Sequence, residues 1–428
     1  MNSSASRLRI PARRWRRCRA DQRWPRTNPN ANANAPAPAP GPFPRLPVCA
    51  GRNACARWFS VDASSSSSST TLAFDRDLKR KQRDNAARSK KAWRSAPPKG
   101  SGEKGGDNND DDDDDAVDYD YFRNEMAARL VDRLDDIKRA EGFPLALDIG
   151  AGGGHIYRAI CSDDAFEGEG GIGGVRKMVL LDSSAGMLGT NDGDDDDGDG
   201  EHIEGSHRCG AYKLHADEEE DLPFPDGTFD LVMSSQAIHW VNDLPKLFRE
   251  VHRVLKPDGC FMFSMIGGAT LPELRVSMVL AELEREGGVG AHVGPFVELS
   301  DVGSLMQNAG FSLPTIDVDT VRISYPSAPV LMEHLQRMGE GNASVRRREH
   351  TGRDVFLAAS CIYDELYPLG DPGGDGGGEV EATAQVIFAI GWTPHASQQK
   401  PEPRGSATHR IGDVVTVTEH KGEDEDKP

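Results

Sequence analysis

Between residues 121 and 392, short apolar runs alternate with stretches of helical periodicity. Residues 145–149, 177–181, 212–215, 229–234 and 260–265 read as buried strands. Met126, Leu130, Leu134 and Ile137 recur at helical spacing across 121–138, and a second helix is expected from about His155. Leu244, Leu247, Phe248, Val251 and Leu255 share one helix face, with Asn242 placed to cap it and Lys256-Pro-Asp-Gly259 to stop it. Thr270 and Glu273 have capping-box spacing for a helix reaching about Glu286. Further helices are expected over 300–309 (closed by Gly310), 329–338 and 353–367, and strands over 315–325 and 384–390. This alternation predicts an α/β fold: a mainly parallel sheet, helices on both faces and right-handed crossovers, with a C-terminal antiparallel strand.

Composition narrows the folded part. Hydrophobic residues make up 37% of the 428, and the 46 Gly and 27 Pro cluster outside the periodic stretches. The expected layout is a leader over 1–60, a charged segment with a low-complexity insertion over 61–120, one domain over 121–392 and a polar tail over 393–428. The net charge of −19 owes much to the Asp runs at 110–115 and 194–197, read as solvated insertions. The Gly-rich run 168–174 and the acidic run 192–199 are expected to loop out, since extra loop length costs little entropy. Acidic balance argues against nucleic acid as a partner. The seven Cys form no CxxC pair, so neither a disulfide framework nor a metal site is expected, and no run of 18 apolar residues announces a transmembrane helix. Residues 1–60 hold 12 Arg and a single acid, Asp21, the composition of an organelle transit peptide, with a short basic helix expected over 7–19.

The strongest local chemistry is Leu147-Asp-Ile-Gly-Ala-Gly-Gly-Gly154, directly after a strand and before a helix. Gly150, Gly152 and Gly154 allow a sharp turn and leave room for a bulky ligand at the sheet edge. The run departs from the dinucleotide spacing Gly-x-Gly-x-x-Gly. Asp148 beside the loop suits an amino-bearing or cationic ligand better than a pyrophosphate. S-adenosylmethionine carries an amino group and a sulfonium but no phosphate, which favours it over NAD. Asp182 ends the second strand, where a carboxylate can accept ribose hydroxyls; Asp217 and Glu218 follow the third, within reach of an adenine edge. His239 and Trp240 follow the fourth strand, as weak candidates for a proton acceptor and an aromatic wall. Glu282, Glu284 and Glu286 read as solvated surface acids.

Taken together, LALDIGAGGGH, VLLDSSAGML, the acidic segment through HWVNDLP, and VLKPDGCFM resemble class I S-adenosylmethionine-dependent methyltransferases. That resemblance implies cofactor roles for Asp148, Gly150, Gly152, Gly154, Asp182 and Asp217, and puts Ser235 and Gln236 beside the methionine end. FDRDLKRKQRDNAA (74–87), HWVNDLP (239–245), GGATLPELR (267–275), LAELEREGG (280–288) and MGEGNA (338–343) resemble more narrowly the mitochondrial complex I assembly factors that hydroxylate protein arginine. This resemblance implies a protein on the matrix side of the mitochondrial inner membrane, touching it peripherally. Its implied partner is a core peripheral-arm subunit of complex I. The chain is similar also to malonyl-carrier-protein methyltransferases. Three classes therefore stay open: a protein-modifying enzyme, a small-molecule or carrier methyltransferase, and a non-enzymatic assembly factor.

Overall fold

A computed structural model describes residues 6–8, 72–94, 119–139, 141–162, 170–189, 209–369 and 379–399. The elements follow the expected alternation. After a short strand β1 (Ser6–Leu8) come α1 (Arg76–Arg94), α2 (Tyr121–Asp135), β2 (Leu145–Ile149), α3 (His155–Ile160), β3 (Lys177–Asp182), α4 (Ala185–Leu188) and β4 (Gly210–His215). Then follow β5 (Phe229–Ser235), α5 (Leu244–Val254), β6 (Leu255–Ile266), α6 (Pro272–Arg285) and α7 (Leu299–Asn308). The series ends with β7 (Ser312–Tyr325), α8 (Ala328–Met338), α9 (Arg353–Leu366), β8 (Pro368–Leu369) and β9 (Glu379–Trp392).

One sheet runs β1-β7-β9-β6-β5-β2-β3-β4, with β8 beside β9. Strands β6, β5, β2, β3 and β4 are parallel, and β9 runs antiparallel to both β6 and β7. The expected α/β class with a C-terminal antiparallel strand is the observed one. Side-chain alternation along β2 divides the core. Ala146 packs with α2 and α3 residues such as Leu130 and Ile156; Leu147 and Ile149 pack with Phe248 of α5 and Val302 of α7. No helix among the described residues is long and apolar enough to cross a membrane.

Four local expectations are corrected, three of them by partners distant in sequence. Asn242 does not cap α5, because its Oδ1 accepts from the backbone N–H groups of Ala73 and Phe74; Asp243 caps instead, accepting from Lys246 N at 2.9 Å. Thr270 and Glu273 form no capping box: Thr270 exchanges hydrogen bonds with the Gln385 backbone, and Glu273 accepts from Thr383 on β9. Residues 170–174 do not loop out. A Cβ on Gly171 would lie 2.4 Å from Ile160 Cγ2, and Gly173 O accepts from Phe143 N, so this segment walls the α2–α3 core. The basic helix expected from residue 7 does not start there, since Ser6–Leu8 is an extended edge strand parallel to β7. The acidic run at 192–199 and the tail beyond 399 lie outside the described residues.

Phe248 is fully buried and meets Phe261 and Phe263 edge-on at 5.4 and 5.3 Å between ring centroids. Its replacement by Ala should cost about 3–5 kcal/mol through lost burial and the cavity left. Chemical denaturation of Phe248→Ala, read as a lowered midpoint, checks this.

Candidate functional site

The parallel strands β2, β3, β4 and β5 end at one edge, and the residues picked out at their C-terminal ends converge there, as expected for an open α/β sheet. The glycine loop is pinned to its neighbour: Gly150 and Ala151 donate to Leu181 O at 2.8 and 3.0 Å. Gly150 has φ +70°, and a Cβ there would fall 2.2 Å from that of Ala237. Only glycine fits. Gly152 donates its N–H to Asp182 Oδ2 at 2.7 Å, and Gly154 starts α3 in the left-handed conformation.

Asp148 and Asp182 are both buried at this edge. Asp148 Oδ2 has no hydrogen-bond partner. Burial, and then the Asp182 charge, push its carboxyl well above the usual Asp range. A buried acid with an empty acceptor oxygen suits a donor-rich cation. Asp182, by contrast, is well satisfied. It accepts from Gly152 N and Ser184 N, both at 2.7 Å, and from Arg83 Nη2 at 2.5 Å. Glu218 is buried with Oε2 unpartnered, and Gln236 is buried with Oε1 unpartnered. Gln236 holds a left-handed backbone (φ 55°), fixed by its N–H to Ser264 O at 3.0 Å. Ser235 bonds Ser264 Oγ at 3.1 Å. Ser235 and Gln236 line the same cleft as Gly150 and Gly152.

Sequence reasoning missed the cations in this cleft. Arg76, Lys79, Arg80 and Arg83 of α1 all line it. Their spacing of 0, 3, 4 and 7 puts them on one helix face, a readable signal hidden among other charges. Arg76 Nη2 reaches Asp217 Oδ1 at 2.8 Å and Glu218 Oε1 at 2.7 Å; Arg80 reaches Asp217 Oδ2 at 3.2 Å. Burial of Asp217 would raise its carboxyl, but the Glu219 N–H and Arg76 hold it below the usual range. The helix is anchored by the Asn242 bonds and by Ser184 Oγ donating to Asp84 Oδ1 at 2.5 Å.

The second omission is Glu340, just past α8. It accepts from Lys79 Nζ at 2.7 Å and Trp240 Nε1 at 2.8 Å, and from Arg123 on its other oxygen. Burial would raise its carboxyl, but Lys79 and Arg123 hold it far below the usual range. Lys79 is pushed down to about 7, chiefly by burial, and its Nζ lies 3.5 Å from the centre of the Trp240 ring. The Trp240 ring thus faces the Lys79 ammonium. His239 is buried against Trp240 and Phe296, with Nδ1 unpartnered. Burial pulls it down to about 3, so it is neutral at physiological pH and a poor proton acceptor.

The acids of α6 divide. Glu284 is exposed, but Glu282 is buried, accepting from Gly290 N and bonded to His292 Nε2 at 2.8 Å, while Glu286 pairs with Arg348. The reading of Glu282 as a solvated acid is therefore corrected: it ties the 290–292 loop to the helix.

A family model described as a methyltransferase domain matches residues 147–263, which span the glycine loop through β6. The chain is 39% identical over 344 residues to the Danio rerio protein named arginine-hydroxylase NDUFAF5, mitochondrial, a match covering 80% of this chain and 90% of that relative. Its Homo sapiens counterpart is 39% identical over 353 residues, covering 82% and 86%. The malonyl-[acyl-carrier protein] O-methyltransferase of Methylovorus sp. (strain MP688) is 30% identical over 281 residues, covering 65% and 85%. A glycine-looped parallel sheet edge with these relatives along most of its length settles the family: the chain belongs to that of the mitochondrial arginine-hydroxylase NDUFAF5, enzymes built on the class I S-adenosylmethionine-dependent methyltransferase fold.

Proposed function

We propose that this protein binds S-adenosylmethionine at the β2–β5 edge and modifies an arginine side chain of a complex I subunit, by hydroxylation, on the matrix side of the mitochondrial inner membrane. The cofactor assignment is carried by Asp148, a fully buried acid with an unpartnered oxygen beside a loop only glycine can form. The arginine assignment rests on relatives named arginine-hydroxylase.

The residues present fit the cofactor. Asp148 Oδ2 and Gln236 Oε1 would accept from its amino group, Asp182 from its ribose, and Glu218 or Asp217 from its adenine edge. Gly150 and Gly152 add no side chain of their own to the cleft. When bound, the group supplies a sulfonium with an electrophilic methyl and a positive charge. Asp148 would balance that charge, and the α1 cations would face the carboxylate. Ribose binding at Asp182 meets an acid already holding Arg83, so Arg83 must shift or share. His239, being neutral, can accept a hydrogen bond on one ring nitrogen and donate from the other, but is not an imidazolium acid.

Mass spectrometry of complex I subunits from cells with and without the protein tests the reaction. One oxygen on an arginine, present only with the protein, is expected. An added methyl would replace hydroxylation with methyl transfer, and methylation of a malonyl carrier instead would favour the carrier reading.

Two substitutions test the site. Asp182→Asn should weaken S-adenosylmethionine binding at least tenfold, about 1.4 kcal/mol, by calorimetric titration. Asp148→Asn should weaken binding by a similar factor while raising the melting temperature of the free protein at neutral pH. The unfolded chain releases the Asp148 proton near the ordinary Asp value of 3.8, whereas the folded carboxyl keeps it to higher pH. Stability contributed by this group is therefore full below the unfolded value and falls as pH rises toward the folded one. Asn removes that loss, so the melting curves of the two proteins should diverge with rising pH.

A further inference from the structure

Resting on the reading of this cleft as one that takes an arginine side chain, we propose that Glu340, the face of Trp240 and the Gly339 carbonyl form its guanidinium site, and that Lys79 of α1 fills that site as an intramolecular stand-in which substrate displaces.

Three kinds of surface that attract a cation meet at one point. Lys79 Nζ donates to Glu340 Oε2 at 2.7 Å and to Gly339 O at 2.8 Å, and lies 3.5 Å from the Trp240 ring centre. Anion, carbonyl dipole and π face together make a cage for a charged side chain. The cage belongs to the cofactor cleft, since Trp240, Glu340 and Lys79 line it together with Gly150 and Ser235. It is built from elements other than the one that fills it. Trp240 follows β5, Glu340 follows α8, and Arg123 on α2 holds the second oxygen of Glu340. Withdrawal of Lys79 thus leaves Glu340 held by Arg123 and by Trp240 Nε1.

A lysine under-uses this pocket. Its ammonium has three donors, whereas a guanidinium has five in a planar fork. One polar atom stands spare beside the cage and is not taken by the cofactor: His239 Nδ1, buried and unpartnered in the ring pair with Trp240. A structural Lys–Glu bridge would have no need of it. Burial also brings Lys79 down to about 7, so near neutral pH its charge is only partly kept, while a guanidinium stays charged and competes well.

The test uses the full chain and N-acetyl-L-arginine amide as probe, with the uncharged citrulline analogue as control. Lys79→Ala should bind the arginine probe at least ten times more tightly than the wild type, read by calorimetry, and should not bind the citrulline probe. Adding Glu340→Gln to Lys79→Ala should abolish the gain. Lys79→Ala should also melt lower than the wild type, and the arginine probe alone should restore the loss, a readout that stays available if the variant is weakly folded. Equal arginine affinity in wild type and Lys79→Ala, or equal binding of arginine and citrulline, overturns the cage. The subunit mass measurement is independent of it. Arginine binding in the cage with no oxygen gained on the subunit sinks the hydroxylase reading alone. An oxygen gained without cage binding sinks this inference alone.

Discussion

Asp182 is the contact on which the site's geometry depends. One buried carboxylate accepts the N–H of Gly152, the N–H of Ser184 and the guanidinium of Arg83. It therefore ties the glycine loop after β2, its own turn after β3, and helix α1, which is about a hundred residues away in sequence. Removing it would leave three donors short of an acceptor in a region closed to water, which costs more than the bonds themselves contribute. Burial, and then the charge of the same carboxylate, push the Asp148 carboxyl well above the usual Asp range.

Around that centre the cleft is a balance of buried charges. Arg76 answers Asp217 and Glu218, Arg83 answers Asp182, and Lys79 with Arg123 answers Glu340. Such pairs add little net stability, because both partners lose water, but breaking one is expensive. They dictate how α1 lies across the sheet edge: its cations can meet their acids in a single register. Folding and function draw on the same acids. The groups that would receive cofactor and substrate are held by one helix of the same chain.

Much of the fold and part of the site were legible in the sequence. Strands β2, β3, β5 and β6 are short buried apolar runs, and α5 declares its face through Leu247, Phe248 and Val251. Gly150, Asp148 and Asp182 announced the cleft because their signal is local: strand, turn, helix, with an acid at each strand end. Asn242, Thr270 and Glu273 were misread for the opposite reason. Each has the right local spacing for a cap, yet each is claimed by a backbone segment more than a hundred residues away. Glu340 gave no local sign, since a single acid beside a charged segment reads as solvated, and the helix-face spacing that includes Lys79 is masked by the other charges around it.

By itself, then, the sequence determined the α/β class, the strand order's parallel core and the glycine-acid edge, because these follow from periodicity and from backbone conformations that only glycine adopts. The tertiary structure alone decided that α1 covers that edge, that Glu340 and Trp240 enclose a cation, and that His239 is neutral. Those facts depend on burial and on charges brought together from four elements, and no spacing along the chain records either.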